Sequence, residues 1–337
     1  MPNTEDFCPA RVYRNSNLEE FKMKKVSIVL AAVFFLTVFN LASAGQTLTA
    51  KTASAQMSGG EALPVGNYGM ATTSDGKYIY AFNGSEPTKI SATALRYNSE
   101  SKKWERWLEN LIPKRYANAE FVAGQNKIYV FNGERSGKYR NVVEVVGADG
   151  TIAQSNVKNP SPSRYAGSAV WENKIYVFGG STDNEKNYSK RLSVFDPADS
   201  SWKQLAEMPE GKETDGEIVD GVLYVVGGWD GKASSKRIDA YDIETGKWSA
   251  VGVLPFGISA HRLRASGEKI WIAGSYNDKD TLAVFDTTTG EITVLTSNFA
   301  PRRHVGLEIL NGELFVFGGN QAARDSHLTG LQILSVR

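Results

Sequence analysis

The stretch KIYVFGG, Lys174 to Gly180, is an uninterrupted apolar run that stops on two glycines, and the chain carries six versions of it. The others are YIYAFNG (78 to 84), KIYVFNG (127 to 133), LYVVGG (223 to 228), KIWIAGS (269 to 275) and LFVFGG (314 to 319). The first position after each strand falls at 83, 132, 179, 227, 274 and 318, with spacings of 49, 47, 48, 47 and 44. A period of this length marks a repeat architecture and matches one four-stranded propeller blade. Strands apolar on both faces must be covered on both faces, so neighbouring repeats have to pack against one another.

Other features keep step. After the glycines comes an aromatic, a turn and a tryptophan, in RYNSESKKW (96 to 104), VFDPADSSW (194 to 202) and AYDIETGKW (240 to 248). The fifth copy, VFDTTTGEI (284 to 292), has Ile292 in place of the Trp, and the second, VEVVGADGTI (143 to 152), lacks both rings. A short strand of small residues precedes each glycine strand, as in SRYAGSAVW (163 to 171).

This pattern resembles the kelch repeat over roughly residues 52 to 337, and the resemblance implies an all-β fold, a six-bladed β-propeller. With strands lettered a to d from the channel outward, IYVFGG fits strand b. Glycines at its end remove side chains where blades crowd and adopt backbone angles closed to other residues. The strand-d Trp and strand-c aromatic fill the widening gap farther out, each ring worth on the order of 2–3 kcal/mol. The last repeat ends at LQILSVR (331 to 337), which aligns with strand c of blade 4 and leaves the outer position empty. Residues near 52 to 60 are expected to supply that outer strand and close the ring.

The expected organisation is an extension over 1–22, a signal peptide over 23–44, an N-terminal segment with the closing strand over 45–62, and six blades over 63–337. Met23-Lys24-Lys25, the uncharged run Val26 to Ala42 and Ala42-Ser43-Ala44 supply the basic, apolar and small-residue parts of a secretory signal. Cleavage near Ala44 and a periplasmic or secreted location are expected. Residues 1–22 read as an extension from a start placed too far upstream. Beyond Ala44 the chain has no cysteine, because Cys8 is the only one, so no disulfide and no thiolate chemistry is expected there. The 38 Lys+Arg against 37 Asp+Glu give no bulk charge for a nucleic-acid partner, and no membrane contact is expected beyond the signal.

No GxSxG, P-loop, HExxH, GxGxxG or EF-hand loop is present. The kelch oxidase that this fold resembles needs a cysteine cross-linked to a tyrosine, which is missing here. Three histidines, His261, His304 and His327, do not by themselves make a metal centre, and neither metal nor cofactor is expected. Leading into strand a, three repeats carry Pro113-Lys114-Arg115-Tyr116, Pro162-Ser163-Arg164-Tyr165 and Pro301-Arg302-Arg303-His304. Blade 4 has Lys212-Glu213-Thr214-Asp215 there, and blade 5 has Ser259-Ala260-His261-Arg262. By the resemblance these positions ring the channel mouth. Arg115, Tyr116, Arg164, Tyr165, Lys212, Arg303 and His304 are the candidate ligand contacts, with Glu213, Asp215 and His261 as candidate proton-handling groups. The loops after the glycines add Tyr139, Tyr188, Trp229 and Tyr276, of which Trp229 is the ring expected to face the mouth.

Aromatic faces beside guanidinium groups suit a sugar with a charged substituent. The primary expectation is therefore an exported, monomeric binding module for a carbohydrate or small anionic ligand. One alternative is a mutarotase of the sialic-acid type found among exported kelch propellers, with Glu213 and His261 as acid and base. The other is a protein-interaction platform whose partner is an exported protein.

Overall fold

The computed structural model describes residues 47–183, 186–322 and 326–336. The signal peptide, the 1–22 extension, Cys8 and the cleavage point near Ala44 lie outside them.

Six antiparallel sheets stand round a central axis. From the axis outward, blade 1 is Ala71–Ser74, Tyr78–Phe82, Ala94–Asn98 and Lys103–Leu108, and blade 2 is Arg115–Val122, Lys127–Arg135, Glu144–Gly147 and Ile152–Gln154. Blade 3 is Arg164–Trp171, Lys174–Thr182, Leu192–Asp196 and Ser201–Gln204, and blade 4 is Glu213–Val219, Val222–Trp229, Arg237–Asp242 and Lys247–Val253. Blade 5 is Arg262–Ser266, Lys269–Ala273, Leu282–Asp286 and Ile292–Ser297. Blade 6 takes Gly306–Leu310, Glu313–Phe317 and Leu331–Ser335 from the end of the chain and Ser58–Gly60 from its beginning. Each strand a touches the strands a on either side, blade 6 against blade 1 included, so the circle is closed.

The glycine ends do what their chemistry allows. Gly179 and Gly180 have φ of 64° and 87°, and blades 1 and 2 put Asn83 and Asn132 at the first of the two positions, asparagine being the side chain that best tolerates left-handed backbone. A Cβ on Gly179 would lie 2.6 Å from the Lys212 carbonyl of the next blade, so this position is also closed by crowding.

Packing between blades explains which rings recur. Trp104 of blade 1 lies 4.9 Å from Phe317 of blade 6, and Trp248 of blade 4 donates to the Ala206 carbonyl in the connection leaving blade 3. In blade 5, Ile292 takes the Trp position and is fully buried among blade 4 and 5 side chains. Blade 2 has no Trp because its gap is filled from the other side. Trp107 of blade 1 packs 4.8 Å from Tyr80 and 6.2 Å from Phe82, beside the Gly147 to Thr151 turn.

The closing strand is Ser58–Gly60, antiparallel to Leu331–Ser335, at the C-terminal end of the expected window. Residues Ala50–Ala55 go elsewhere: they run parallel along the outer strand of blade 5, and Thr47 bridges Val253 of blade 4. Met57, buried between the two strands, is gripped at both backbone groups by Asn298. The segment 47–60 is a strap across three blades.

Candidate functional site

At or just before the start of strand a in every blade but the fourth, the backbone turns left-handed: Gly69 (φ 64°), Tyr116 (57°), Tyr165 (52°), Ala260 (55°) and His304 (53°). A residue with a Cβ pays about 1–2 kcal/mol for this conformation. Hydrogen bonds between blades hold it, from Tyr116 N to Gly69 O (2.8 Å), Gly69 N to His304 O (3.0 Å) and His304 N to Ala260 O (2.9 Å). The result is a backbone hoop at the channel mouth with its side chains turned toward the axis.

On one side of the mouth those side chains are rings. Tyr116 and Tyr165 stack with centroids 3.9 Å apart, and His304 lies 5.5 and 5.3 Å from them. On the other side stand Glu213, Thr214, Trp229, Ser259, His261, Arg262 and Tyr276, and the space between is a cavity of about 280 Å³. Trp229 is braced by its indole N–H donating to Tyr188 (3.1 Å). Of the loop aromatics, Trp229 and Tyr276 line the cavity, Tyr188 supports it, and Tyr139 belongs to a short ribbon on blade 2.

The floor is charged. One position of strand a, opposite the aromatic of strand b, carries Thr73, Glu120, Ala169, Glu217, Arg264 and Glu308 in blades 1 to 6. Arg264 binds Glu308 at 2.6 Å and Glu217 at 3.1 Å, and Ser168 donates to Glu120 at 2.5 Å. Burial pushes Glu120 up to about 7 and holds Glu217 well above the usual carboxylate range. The void at this level is about 10 Å³, room for about one water. The mouth is thus a cup above a plugged channel. Among the described residues no group of three His, Cys, Asp or Glu is placed to hold a metal ion.

The cations at the mouth are not equivalent. Arg115 binds Glu134 at 2.6 Å, and Arg164 contacts Ser181 at 3.4 Å and Glu213 at 3.8 Å. Arg262 faces Asp215 at 3.7 Å. Arg303 is 7% exposed, lies 4.1 Å over the Tyr276 ring, has a buried Nε with no acceptor, and has no carboxylate partner among the described residues.

Burial depresses both mouth histidines, His261 to about 4 and His304 to about 3, the latter with help from Arg303. Both are neutral near pH 7. The His261 Nε2 sits 3.0 Å from the Val226 carbonyl, which can only accept, so Nε2 carries the proton. Burial raises Glu213 to about 7, against the downward pull of Ser181 and Arg164.

Of the sequence candidates, Tyr116, Tyr165, Glu213, Trp229, His261 and His304 line the cavity. Arg115, Arg164 and Arg303 stand behind its rings, each over an aromatic face. Lys212 is a correction. It occupies the place of Lys114 and Arg302, two residues before the Tyr116 and His304 position, and turns into its own blade toward Asp239 (3.6 Å) and Glu210 (3.4 Å). Lys114 reaches Glu144 (2.7 Å) and Arg302 reaches Gln332 (3.0 Å) from the same position. Glu144, Asp239 and Gln332 share one site on strand c, so these cations tie the first strand of a blade to its third. Sequence reasoning missed Arg262 and the charged floor. The floor's signal was its offset, seven residues before the strand-b aromatic in five blades and nine in blade 2, where the turn Ala123–Gln125 intervenes.

A closed six-bladed ring of sheets with a cup at its mouth defines a β-propeller. The profile of the KLHDC2/KLHL20/DRC7 kelch-repeats domain matches residues 69–274 and 118–319, and the chain belongs to the kelch-repeat family. It is similar to beta-scruin of Limulus polyphemus, 25% identical over 278 residues, which is 74% of this chain and 30% of that protein. Kelch-like protein 23 of Homo sapiens is 29% identical over 210 residues, 60% of this chain and 36% of its own length. Kelch-like protein 40 of Xenopus laevis is 28% identical over 204 residues, 55% and 33% of the two chains. The chain thus spans about a third of the length of these relatives.

Proposed function

We propose that the protein is a binding module whose cup takes a small anionic ligand of the carbohydrate class. The observation that carries this is Arg303, a buried guanidinium with no anion of its own among the described residues, stacked behind the Tyr276 ring of the cavity wall, whereas Arg115, Arg164 and Arg262 each have a carboxylate partner. An unpaired buried charge costs several kcal/mol, and a bound carboxylate would relieve that cost. The stacked tyrosines and Trp229 offer flat faces to the C–H side of a sugar. At about 280 Å³ the cup is at the lower end of ligand pockets, roughly 300–1,000 Å³, and fits one monosaccharide ring better than an oligomer. A carboxylate side chain on a partner protein would meet the same guanidinium, but only its tip would enter.

The test is thermal shift of the purified chain with glucuronate, sialate and their uncharged analogues. A ligand at 100 times its dissociation constant stabilises by about 2.7 kcal/mol, a shift of several degrees. We expect shifts with the acids alone, abolished in Arg303→Gln. A cooperative melt that no sugar moves would leave the mouth as a protein-contact surface.

Glu213, pushed up to about 7, favours a second reading, a sugar mutarotase, because a carboxyl near neutrality can both give and take a proton. Accelerated anomer exchange of a bound acid, lost in Glu213→Gln, would establish it. Export with cleavage near Ala44 belongs to the same proposal, supported by the basic, apolar and small-residue order of residues 23–44. The mass of the protein recovered from the medium or periplasm reads it directly.

A further inference from the structure

Glu213 is the one acid among the residues lining the cup. From the elements packed round it the titratable and charged groups are Arg164 and Tyr165 of blade 3, Lys212 and Asp215 on its own chain segment, and His261 and Arg262 of blade 5. Among the described residues only Arg164 comes within ion-pair distance, at 3.8 Å. Lys212 is turned away to Asp239 and Glu210, and Arg262 faces Asp215. The Ser181 hydroxyl joins Arg164 to Glu213, 3.4 Å from the first and 2.5 Å from the second. Among the described residues Glu213 therefore has one cationic neighbour, and it faces the cavity.

We propose that the cup binds its anion together with a proton, which Glu213 takes up. This rests on the anion-binding reading above. With Glu213 ionised, its oxygens would face the oxygens of a ligand carboxylate inside one small cavity. With Glu213 protonated, its O–H can donate to that carboxylate, and Ser181 keeps the other oxygen in place. The balance is one carboxylate, one proton and one anion in, and one neutral carboxyl hydrogen-bonded to the bound anion out. The carboxyl of the empty cup, at about 7, is already poised to change state near neutrality. In a cavity of about 280 Å³ an ionised Glu213 and a bound carboxylate would lie within roughly 7 Å of each other, and even at that limit, at an effective dielectric of about 20, each shifts the other by more than one pH unit. Affinity then falls about tenfold or more between pH 6 and pH 8.5.

The experiment is titration calorimetry of the full chain with glucuronate at pH 6.0, 7.5 and 8.5, in pairs of buffers with different heats of ionisation. Expected are the tenfold fall and, at pH 7.5, a buffer-dependent heat corresponding to net uptake of a proton. Glu213→Gln, which keeps the shape of the neutral acid at every pH, is expected to hold its low-pH affinity up to pH 8.5 with no buffer-dependent heat. Wild-type binding that varies less than about threefold across this range, with no proton uptake, overturns the proposal and leaves the anion site standing. No binding of glucuronate or of sialate at any pH overturns both. The wild-type heats decide the matter even if the variant does not fold.

Discussion

His304 and Glu213 sit in one cup and answer pH in opposite senses. The imidazoles of His304 and His261 are held down to about 3 and about 4, so the folded protein favours their neutral forms. Their contribution to stability is complete above the unfolded value near 6.5 and is lost as pH falls through 4 and 3. At about 1.4 kcal/mol per pH unit, His304 alone contributes on the order of 3–5 kcal/mol. Glu213 and Glu120, raised to about 7, favour the protonated form, so what they contribute is present below the usual carboxylate value and is lost as pH rises through 7. His304→Asn keeps a side chain that accepts the left-handed backbone but does not titrate. Its acid unfolding midpoint, followed by circular dichroism, should move at least half a unit lower, and an unchanged midpoint would show that burial of the imidazole is not what limits acid stability. At this scale the sequence made Trp229, Glu213 and the Tyr116 and Tyr165 pair legible, because all lie at fixed offsets from the glycine strands. Lys212 was misplaced because charge was aligned with charge, whereas the left-handed turn sets the register.

Within a blade, strand a is fastened to strand c by a buried cation. Lys114 and Glu144 are the most enclosed example, side chains 0% and 2% exposed at 2.7 Å, with Glu144 also taking the Ile112 amide at 2.8 Å. Such a pair is not itself a large source of stability, but a broken one is expensive, about 3–5 kcal/mol, because a charge is left buried alone. Glu144→Ala should lower the unfolding free energy read from urea melts by that amount. Lys114→Met combined with Glu144→Leu should recover most of it, and equal losses in the single and double variants would refute the account. The elements themselves were legible: all six glycine strands and the three strand-d tryptophans fell where their pattern put them. The filling of the gap beside blade 2 was not. Trp107 lies three residues beyond Trp104 on the same strand, and which of them faces which neighbour depends on the bulge at Ala94 and Leu95.

The ring as a whole depends on its strap. The side chains of Ala50–Ala55 are mostly exposed, whereas Met57 is buried in the core between blades 5 and 6 and Leu63 in the core between blades 6 and 1. Removing residues through Ala55 should therefore cost little, and removing them through Leu63 should lower the melting temperature by more than about 5 °C and broaden the transition. Equal melts for the two truncations would mean that Ser58–Gly60 is not the clasp. The need for an N-terminal strand was legible from the missing outer strand of blade 6, but the lodging of 50–55 on blade 5 was not, since AKTASA has no apolar alternation to set a register. The seam passes through the cup: Gly69, made early, bonds to His304, made late, and Gly319 bonds to Asn67. A nascent chain that has not yet released Leu331 to Ser335 has neither the clasp nor, across this seam, the hoop. On the proposed reading of the cup, ligand affinity would therefore report that Ser58–Gly60 and Leu331–Ser335 have already met.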